Sequence, residues 1–490
     1  MDHFSIIDIS ILVIIVAGVT YAGHLLGGKV SDRKGFFQAG GSLPWWAVSS
    51  SIIATVISSV TFISIPAAVF RDGGNGGYIQ VLLGLMLGKV LTAYLFARPY
   101  YESEGIKSTY DYIGRRLSLP IGRISFGLGL VLSTINASVK LLTTGLVLSV
   151  ITSWSLALCT FIMVVFAILW SWIGGLKTVI WTDFILFIIF TVGAVFSILW
   201  TMGMVDMSFG EAVFWLDSNA KLILFDFSIN PQKTYTIWAG VIGASLLSLA
   251  LASAQGTFQR VRACRSAEDA RKSYLFASFF YLTPICMIGV GFLISLFYHE
   301  NPLPQDVVDS LVNQPDRIFP YFITTEIPQG VSAIFIAAIF AAGISTLDTS
   351  LTEMSDISIA SLYEKYLSPG KSEKHYLVAS RISLVIWGSF YFLIALFFSR
   401  FTAEGLLDLT FKLPNYLTGT LLATIILARF SIGGIKSYMA GFVMAGLTVY
   451  LLQSWNVGFF WWCPVSALVM ILFVWALNPR MPEWCGIIRL

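Results

Sequence analysis

Long uncharged apolar runs recur along almost the whole chain, and no motif restricts the fold as much as that recurrence does. A helix needs ~20 mostly apolar residues to cross the hydrocarbon core of a bilayer. By that criterion about thirteen runs qualify, near 5–27, 45–70, 77–98, 124–150, 155–173, 179–202, 237–258, 274–298, 329–362, 377–399, 405–428, 437–454 and 459–477. Only 12% of the 490 residues are charged, against about 25% in soluble domains. The expected fold class is therefore an all-α integral membrane protein. Two longer polar stretches, 203–236 and 299–328, are expected as loops outside the membrane.

The charges between the runs set an orientation. Lys29, Arg33 and Lys34 follow the first run, Arg98, Lys107, Arg115, Arg116 and Arg123 the third, and Arg260, Arg262, Arg265, Arg271 and Lys272 the seventh. Lys365, Lys371, Lys374, Arg429, Lys436, Arg480 and Arg489 continue on that side, while the other side carries a thin scatter. Cationic loops stay cytoplasmic, which puts the N-terminus outside and the C-terminus inside. The N-terminus lacks the cationic region and cleavage site of a signal peptide, so the first run is expected to be retained. A net charge of +3 gives no reason to expect nucleic acid. Cys159, Cys264, Cys286, Cys463 and Cys485 are scattered without disulfide or metal spacing. No Pro-, Gly- or Ser-rich linker divides residues 1–490, so a single domain with no obligatory protein partner is expected.

Within the runs, a few residues do not belong in lipid. Residues 49–64 are rich in hydroxyls and β-branched side chains and lead to Pro66, which makes a poor continuous helix. Small polar residues at helix contacts would explain this stretch; so would an unwound segment whose carbonyls hold a cation. In 337–350, Ser345, Thr346, Asp348 and Thr349 put four oxygen-bearing side chains on about one helical turn. Such oxygens suit a hard cation like Na+, and an acid within a span is a functional candidate by default. Asp348 could equally be a packing residue bonded to neighbouring hydroxyls. Asp183, just inside the run that follows Gly174-Gly175, could be an interfacial cap on that helix. Lys140 sits mid-span in Asn136–Lys140, too deep to snorkel, and must meet an anion from the protein or from a substrate.

At these positions the chain resembles the sodium/solute symporter family, which includes bacterial sugar, proline and sialic acid transporters. The matching landmarks are Gly41–Trp46, Ala54–Pro66, Tyr110–Arg116, Val179–Asp183, Gln255 with Gln259-Arg260, and Ala337–Thr349, in family order over roughly 5–430. The resemblance implies a LeuT-like fold of five-plus-five inverted repeats (45–202 and 237–428), with one extra N-terminal helix (5–27) and two C-terminal ones (437–477). It also implies a sodium site at the backbone oxygens of Ala54, Ile57 and Ala342 and the hydroxyls of Ser345 and Thr346. Some members have a second sodium site, matching Asp183, Asp348 and Thr349. Here the carboxylate of Asp348 replaces a hydroxyl, which would either strengthen that site or pair with Lys140. Ser58, Thr61 and Gln80 match the substrate residues of the sialic acid branch. That branch holds its substrate carboxylate with an arginine, where Asn136 stands here, with Lys140 one turn further on.

The expected function is sodium-coupled import of a small organic solute, carboxylated or amphoteric, across a bacterial inner membrane. The partners are then the solute, the coupling ion and the bilayer. A neutral sugar or amino-acid symporter of the same fold, or a transporter-like sensor or channel, is the alternative. An enzyme is disfavoured, since of four histidines only His24 falls well within a span, away from the hydroxyl clusters. The orientation has a direct test. Cysteines introduced singly into 259–273 and 299–328, in a background without the native five, should react with an impermeant reagent in whole cells only in the second segment. The reverse pattern would overturn the orientation.

Overall fold

Each apolar run is helical in the structure, a computed structural model that describes residues 6–27, 36–37, 39–103, 105–152, 154–400 and 406–478. Lys29, Arg33, Lys34, Arg480, Arg489, Cys485 and the side chain of His24 lie outside the described set. The chain runs α1 (Ile6–Gly27), α2 (Trp45–Val56), α3 (Ser59–Phe70), α4 (Gly76–Tyr101), α5 (Thr109–Arg116), α6 (Leu119–Thr152) and α7 (Leu156–Met202). There follow α8 (Phe209–Ser218), α9 (Ala239–Ala250), α10 (Gln255–Ala263), α11 (Ala267–Phe279), α12 (Leu282–Glu300), α13 (Gln305–Asn313) and α14 (Ile318–Thr325). The last are α15 (Val331–Ser358), α16 (Glu373–Phe398), α17 (Leu406–Phe430), α18 (Ile435–Ser454) and α19 (Trp462–Ala476). Among the described residues nine helices are long and apolar enough to cross a membrane, or eleven if each of two bent pairs counts as one span. Val13–Gly27 and Leu156–Trp172 are shorter apolar helices.

The two bent pairs have local causes. Between α2 and α3 the axis turns by 52°, and Ile57 and Ser58 are extended. The Ser58 N–H donates to Thr61 Oγ1 at 3.3 Å instead of to the carbonyl one turn back, so the hydroxyl caps α3 and the α2 ladder stops. Between α9 and α10 the turn is 72°, at Ala254, whose φ of −77° and ψ of 146° leave the helix. The sequence reading expected this second run to be continuous. The cationic segment that follows it begins inside α10, with Arg260 buried, so Arg260 is not a loop charge and the labelling positions in 259–273 are Arg265 and Glu268, both exposed. The two broken helices are tied at one end, where Leu43 N donates to Ala263 O at 3.0 Å. The polar stretches also contain more order than expected, namely α8, α13 and α14.

Helix α15 is the hub. In its most apolar stretch 88% of residues are buried, against 28% for α16, which turns its Val, Ile, Leu and Phe side chains outward. It packs along α7, α6 and α1. Gly343 permits the approach to α6, since a side chain there would meet Thr144 and Met163. α7 is two helices joined at a kink at Gly175, whose φ of 58° and closeness to the Phe36 carbonyl require glycine.

Candidate cation and substrate site

The site grows from the break in α2–α3. The last carbonyls of a helix lack intrahelical donors. Ile53 O still accepts from Ile57 N at 3.0 Å, but the donor due to Ala54 O is diverted to Thr61. Ala54 and Ile57, both buried, therefore bring backbone oxygens to the middle of the bundle without their helical donors. Facing α2, α15 carries Ala342, Ser345 and Thr346, all buried. Thr346 Oγ1 donates to Ala342 O at 3.0 Å. Ser345 Oγ donates to Asp183 Oδ1, which leaves its lone pairs unused. Two hydroxyls and three carbonyls of this kind are the donor set that a hard monovalent cation takes.

Asp183 does not cap its own helix. Its carboxylate reaches out of α7, accepts from Ser51 Oγ at 2.5 Å and from Ser345 Oγ, and lies 3.9 Å from Arg260 Nη2. Arg260 joins four helices. Its Nε donates to Ser51 Oγ at 3.2 Å, and its Nη2 to Thr55 Oγ1 at 2.6 Å and Thr349 Oγ1 at 3.1 Å. Its Nη1 lies 3.5 Å from Glu353 Oε1. Beside it, Gln255 and Gln259 both donate to Asp356, at 2.7 and 3.0 Å. Asp348 is different again. It is fully buried, and neither carboxylate oxygen has a hydrogen-bond partner among the described residues.

A cavity of about 250 Å³ opens beside the breaks in both helix pairs. Ser58, Thr61, Asn136, Lys140, Thr349 and Glu353 line it, together with Arg260 and Lys89. Lys140 pairs with neither Asp183 nor Asp348. Its Nζ donates to Thr55 O at 3.4 Å, and no acidic oxygen among the described residues lies within 4.0 Å of it. Lys89 donates to Tyr281 Oη. Gln80 is not part of the lining. Its amide bonds Gly77 O, Tyr235 O and Asp226 N, which anchors the 219–236 segment. In that segment, outside the spans, hydrogen bonds from Lys233 and Ser228 hold the Asp226 carboxyl down to about 2.

Sequence reasoning missed Arg260 and Glu353 as site residues. The available signals were the Gln259-Arg260 landmark and an acid that falls two turns after Thr346 in an apolar run.

Two interrupted helices beside an oxygen-rich buried helix, with a solute-sized cavity between them, define an ion-coupled secondary transporter. The profile of the Sodium:solute symporter family matches residues 36–432, and the chain belongs to that family. It is 26% identical to the sodium/iodide cotransporter of Homo sapiens over 86% of this chain and 65% of that protein. With the sodium/sialic acid symporter SiaT of Proteus mirabilis it shares 24% identity over 92% of this chain and 89% of that one. A substrate-bound, outward-open Na+-coupled sialic acid symporter superposes with a TM-score of 0.85 at 21% identity, over 98% of this chain and 99% of that one. MhsT in complex with L-phenylalanine superposes at 0.54 and 13% identity, over 87% and 98%. The fold is thus the inverted-repeat transporter fold, and the protein is a sodium-coupled transporter rather than an enzyme.

Arg260 offers a test of the buried network. Arg260→Met leaves Asp183 and Glu353 without their cation, and removing one partner of a buried ion pair costs about 3–5 kcal/mol. The expected result is a clear fall in the melting temperature of the purified protein. Combining it with Asp183→Asn and Glu353→Gln should recover most of that loss. A single variant that melts like the wild type would refute the account.

Proposed function

We propose that the chain imports a small carboxylated or amphoteric organic solute together with sodium, by alternating access around the two helix breaks. The observation that carries this reading is the charge of the cavity. Lys89, Lys140 and Arg260 line it against the one carboxylate of Glu353; no acidic oxygen among the described residues lies within 4.0 Å of the Lys140 ammonium, and Glu353, the acid whose field reaches it, also lies 3.5 Å from Arg260. A desolvated ammonium costs several kcal/mol unless it is paired, and a solute carboxylate would supply the partner. Ser58, Thr61 and Asn136 would then bond the neutral part of the solute. The relatives named for iodide and for sialic acid act on anions, which agrees with a cationic cavity.

Sodium in this reading takes Ala54, Ile57, Ala342, Ser345 and Thr346. For a second cation, Asp183 is already engaged by two hydroxyls and Arg260, and Thr349 accepts from Arg260. Asp348 is the ligand with spare capacity there. We read 45–202 and 237–428 as the two repeats, because each opens with a broken helix. The bacterial inner membrane, with the N-terminus outside, completes the reading.

Two measurements on proteoliposomes test it, once a thermal-shift screen of carboxylated solutes with and without sodium has found a substrate. Replacing both Ser345 and Thr346 by alanine removes two ligands where no water can substitute. The half-saturating sodium concentration should rise by at least about tenfold, equivalent to ~1.4 kcal/mol. Unchanged sodium dependence would sink the ion site. Lys140→Ala should leave sodium binding intact and weaken the anionic substrate by at least about tenfold. If it damages sodium binding and spares the substrate, the ammonium serves the ion side and the carboxylate reading fails.

A further inference from the structure

We infer that residues 223–229 seat an apolar face in the bilayer surface, at the boundary between headgroups and acyl chains, instead of standing in water. They belong to the stretch 203–236, which reads as a polar loop outside the membrane. In the structure they form neither helix nor turn. Ile223, Phe225, Phe227 and Ile229 are 45%, 43%, 67% and 86% exposed. The intervening Leu224, Asp226 and Ser228 are half-buried. Exposure that alternates with a period of two is that of an extended chain with one side turned outward. Where such a chain lies between a protein and water, the apolar side faces in and the polar side out. Here the order is reversed. The one acid, Asp226, is on the inner side, accepting from Ser228 N at 2.8 Å and from Lys233 Nζ at 2.9 Å.

Three hydrogen bonds fix where this face lies. Asp226 N donates to Gln80 Oε1 at 3.0 Å, near the start of α4, and the Asp226 carbonyl accepts from Ile237 N at 2.9 Å. Trp238, the residue before α9, donates from Nε1 to the Phe227 carbonyl at 3.3 Å. The segment therefore crosses the ends of two spans. Further along those spans the outward side chains are Leu83 and Leu87 on α4 and Ile242 on α9, so the apolar face continues a surface that meets lipid. Trp238 itself is 45% exposed, and Trp455, at the end of α18, is 63% exposed with its carbonyl 3.4 Å from Gln232 Nε2. Tryptophan concentrates where spans meet the headgroups. Two exposed tryptophans beside the segment thus mark its level in the bilayer.

The backbone argues for lipid over a second protein chain. The Asp226 N–H and carbonyl and the Phe227 carbonyl are already taken, so the segment offers no free strand edge for another strand to extend. It presents side chains alone, and the fluid boundary accepts those without a matching shape. The contact also reaches the first broken helix. Lys221 Nζ, just before the segment, donates to the carbonyls of Val69, Phe70 and Arg71 at 2.8, 2.9 and 2.9 Å. A segment held at the bilayer surface therefore braces the end of α3, the helix that starts at the break.

Nitroxide labels on single cysteines, in a background without the native five and reconstituted into liposomes, test this without sodium or solute. The result is therefore separate from that of the symport reading. The readout is the ratio of collisions with oxygen, which concentrates in lipid, to collisions with an aqueous nickel chelate. Asp309→Cys, at an exposed position on α13, is the reference for water, and Leu87→Cys is the reference for lipid. Phe227→Cys and Ile229→Cys should give ratios severalfold above that of Asp309→Cys and up to that of Leu87→Cys. Ratios equal to the water reference overturn the proposal. Protection from both reagents overturns it too, and assigns the face to a protein partner such as a second copy of the chain. If either variant does not fold, Ile223→Cys and Phe225→Cys report on the same face and decide.

Discussion

The guanidinium of Arg260 joins α2, α7, α10 and α15 at one point. It meets Ser51 and Thr55 on α2, Asp183 on α7, and Thr349 and Glu353 on α15, from a helix segment that exists only because α9–α10 is broken. A charge so deeply buried is tolerable only with anions and acceptors around it. Any motion that carries α10 away from α15 strips those partners from Arg260 and leaves two carboxylates exposed to a low dielectric. The network therefore biases the bundle toward the arrangement in which it is intact. In the proposed sodium site, a cation beside Ser345, whose hydroxyl bonds Asp183, would act on the same charges.

The break at Ile57–Ser58 supplies the other half of the arrangement. In lipid an unpaired carbonyl costs several kcal/mol, so a helix does not open in the middle of a span without compensation. Here the compensation is local and specific. Thr61 takes the Ser58 N–H, Lys140 takes the Thr55 carbonyl, and Ser59 meets Thr144 of α6 at 2.7 Å. The oxygens left over, those of Ala54 and Ile57, are the ones that a cation can satisfy.

Much of this was legible in one dimension. Apolar runs located the helices, because bilayer thickness fixes the length of a span whatever the tertiary contacts. The hydroxyl-rich stretch before Pro66 exposed the first break, since hydroxyls and β-branched residues weaken a helix locally. The second break carried no such signal. Ala254 follows Leu251-Ala252-Ser253, good helix formers apart from one serine, and the bend comes from contacts of α10 with α15 and α5 that only the fold brings together. Arg260 read as a loop charge for a related reason. Hydropathy records that a cation ends an apolar run, not whether the chain then folds back under the bundle. Gln80 matched a substrate position in sequence, yet its amide is used by the 219–236 segment, a contact across about 150 residues that spacing cannot express. Glu353 was hidden because the run 329–362 also carries Asp348 and Asp356, and hydropathy does not say which acid of a run meets a buried cation.

Helix α15 explains why a cation and a solute can be handled side by side without their charges cancelling. Thr349, Ser350 and Glu353 line the cavity, on one face of the helix. Ser345 and Asp348 lie outside that lining, where Ser345 donates to Asp183 and the Asp348 carbonyl accepts from Ser171, both on α7. Thr349 lines the cavity and the adjacent Asp348 does not, since each step along a helix turns the side chain by about 100°. Lys140 lines the cavity and Asp348 does not, and the two are not paired. Had the two met, each would have neutralised the other, and neither an anionic solute nor a second cation would have found a partner. In the proposed reading, their separation keeps one ammonium for the solute and one carboxylate for the ion side. Both compartments remain on the same rigid element, so whatever fills one alters the strain and the field felt in the other.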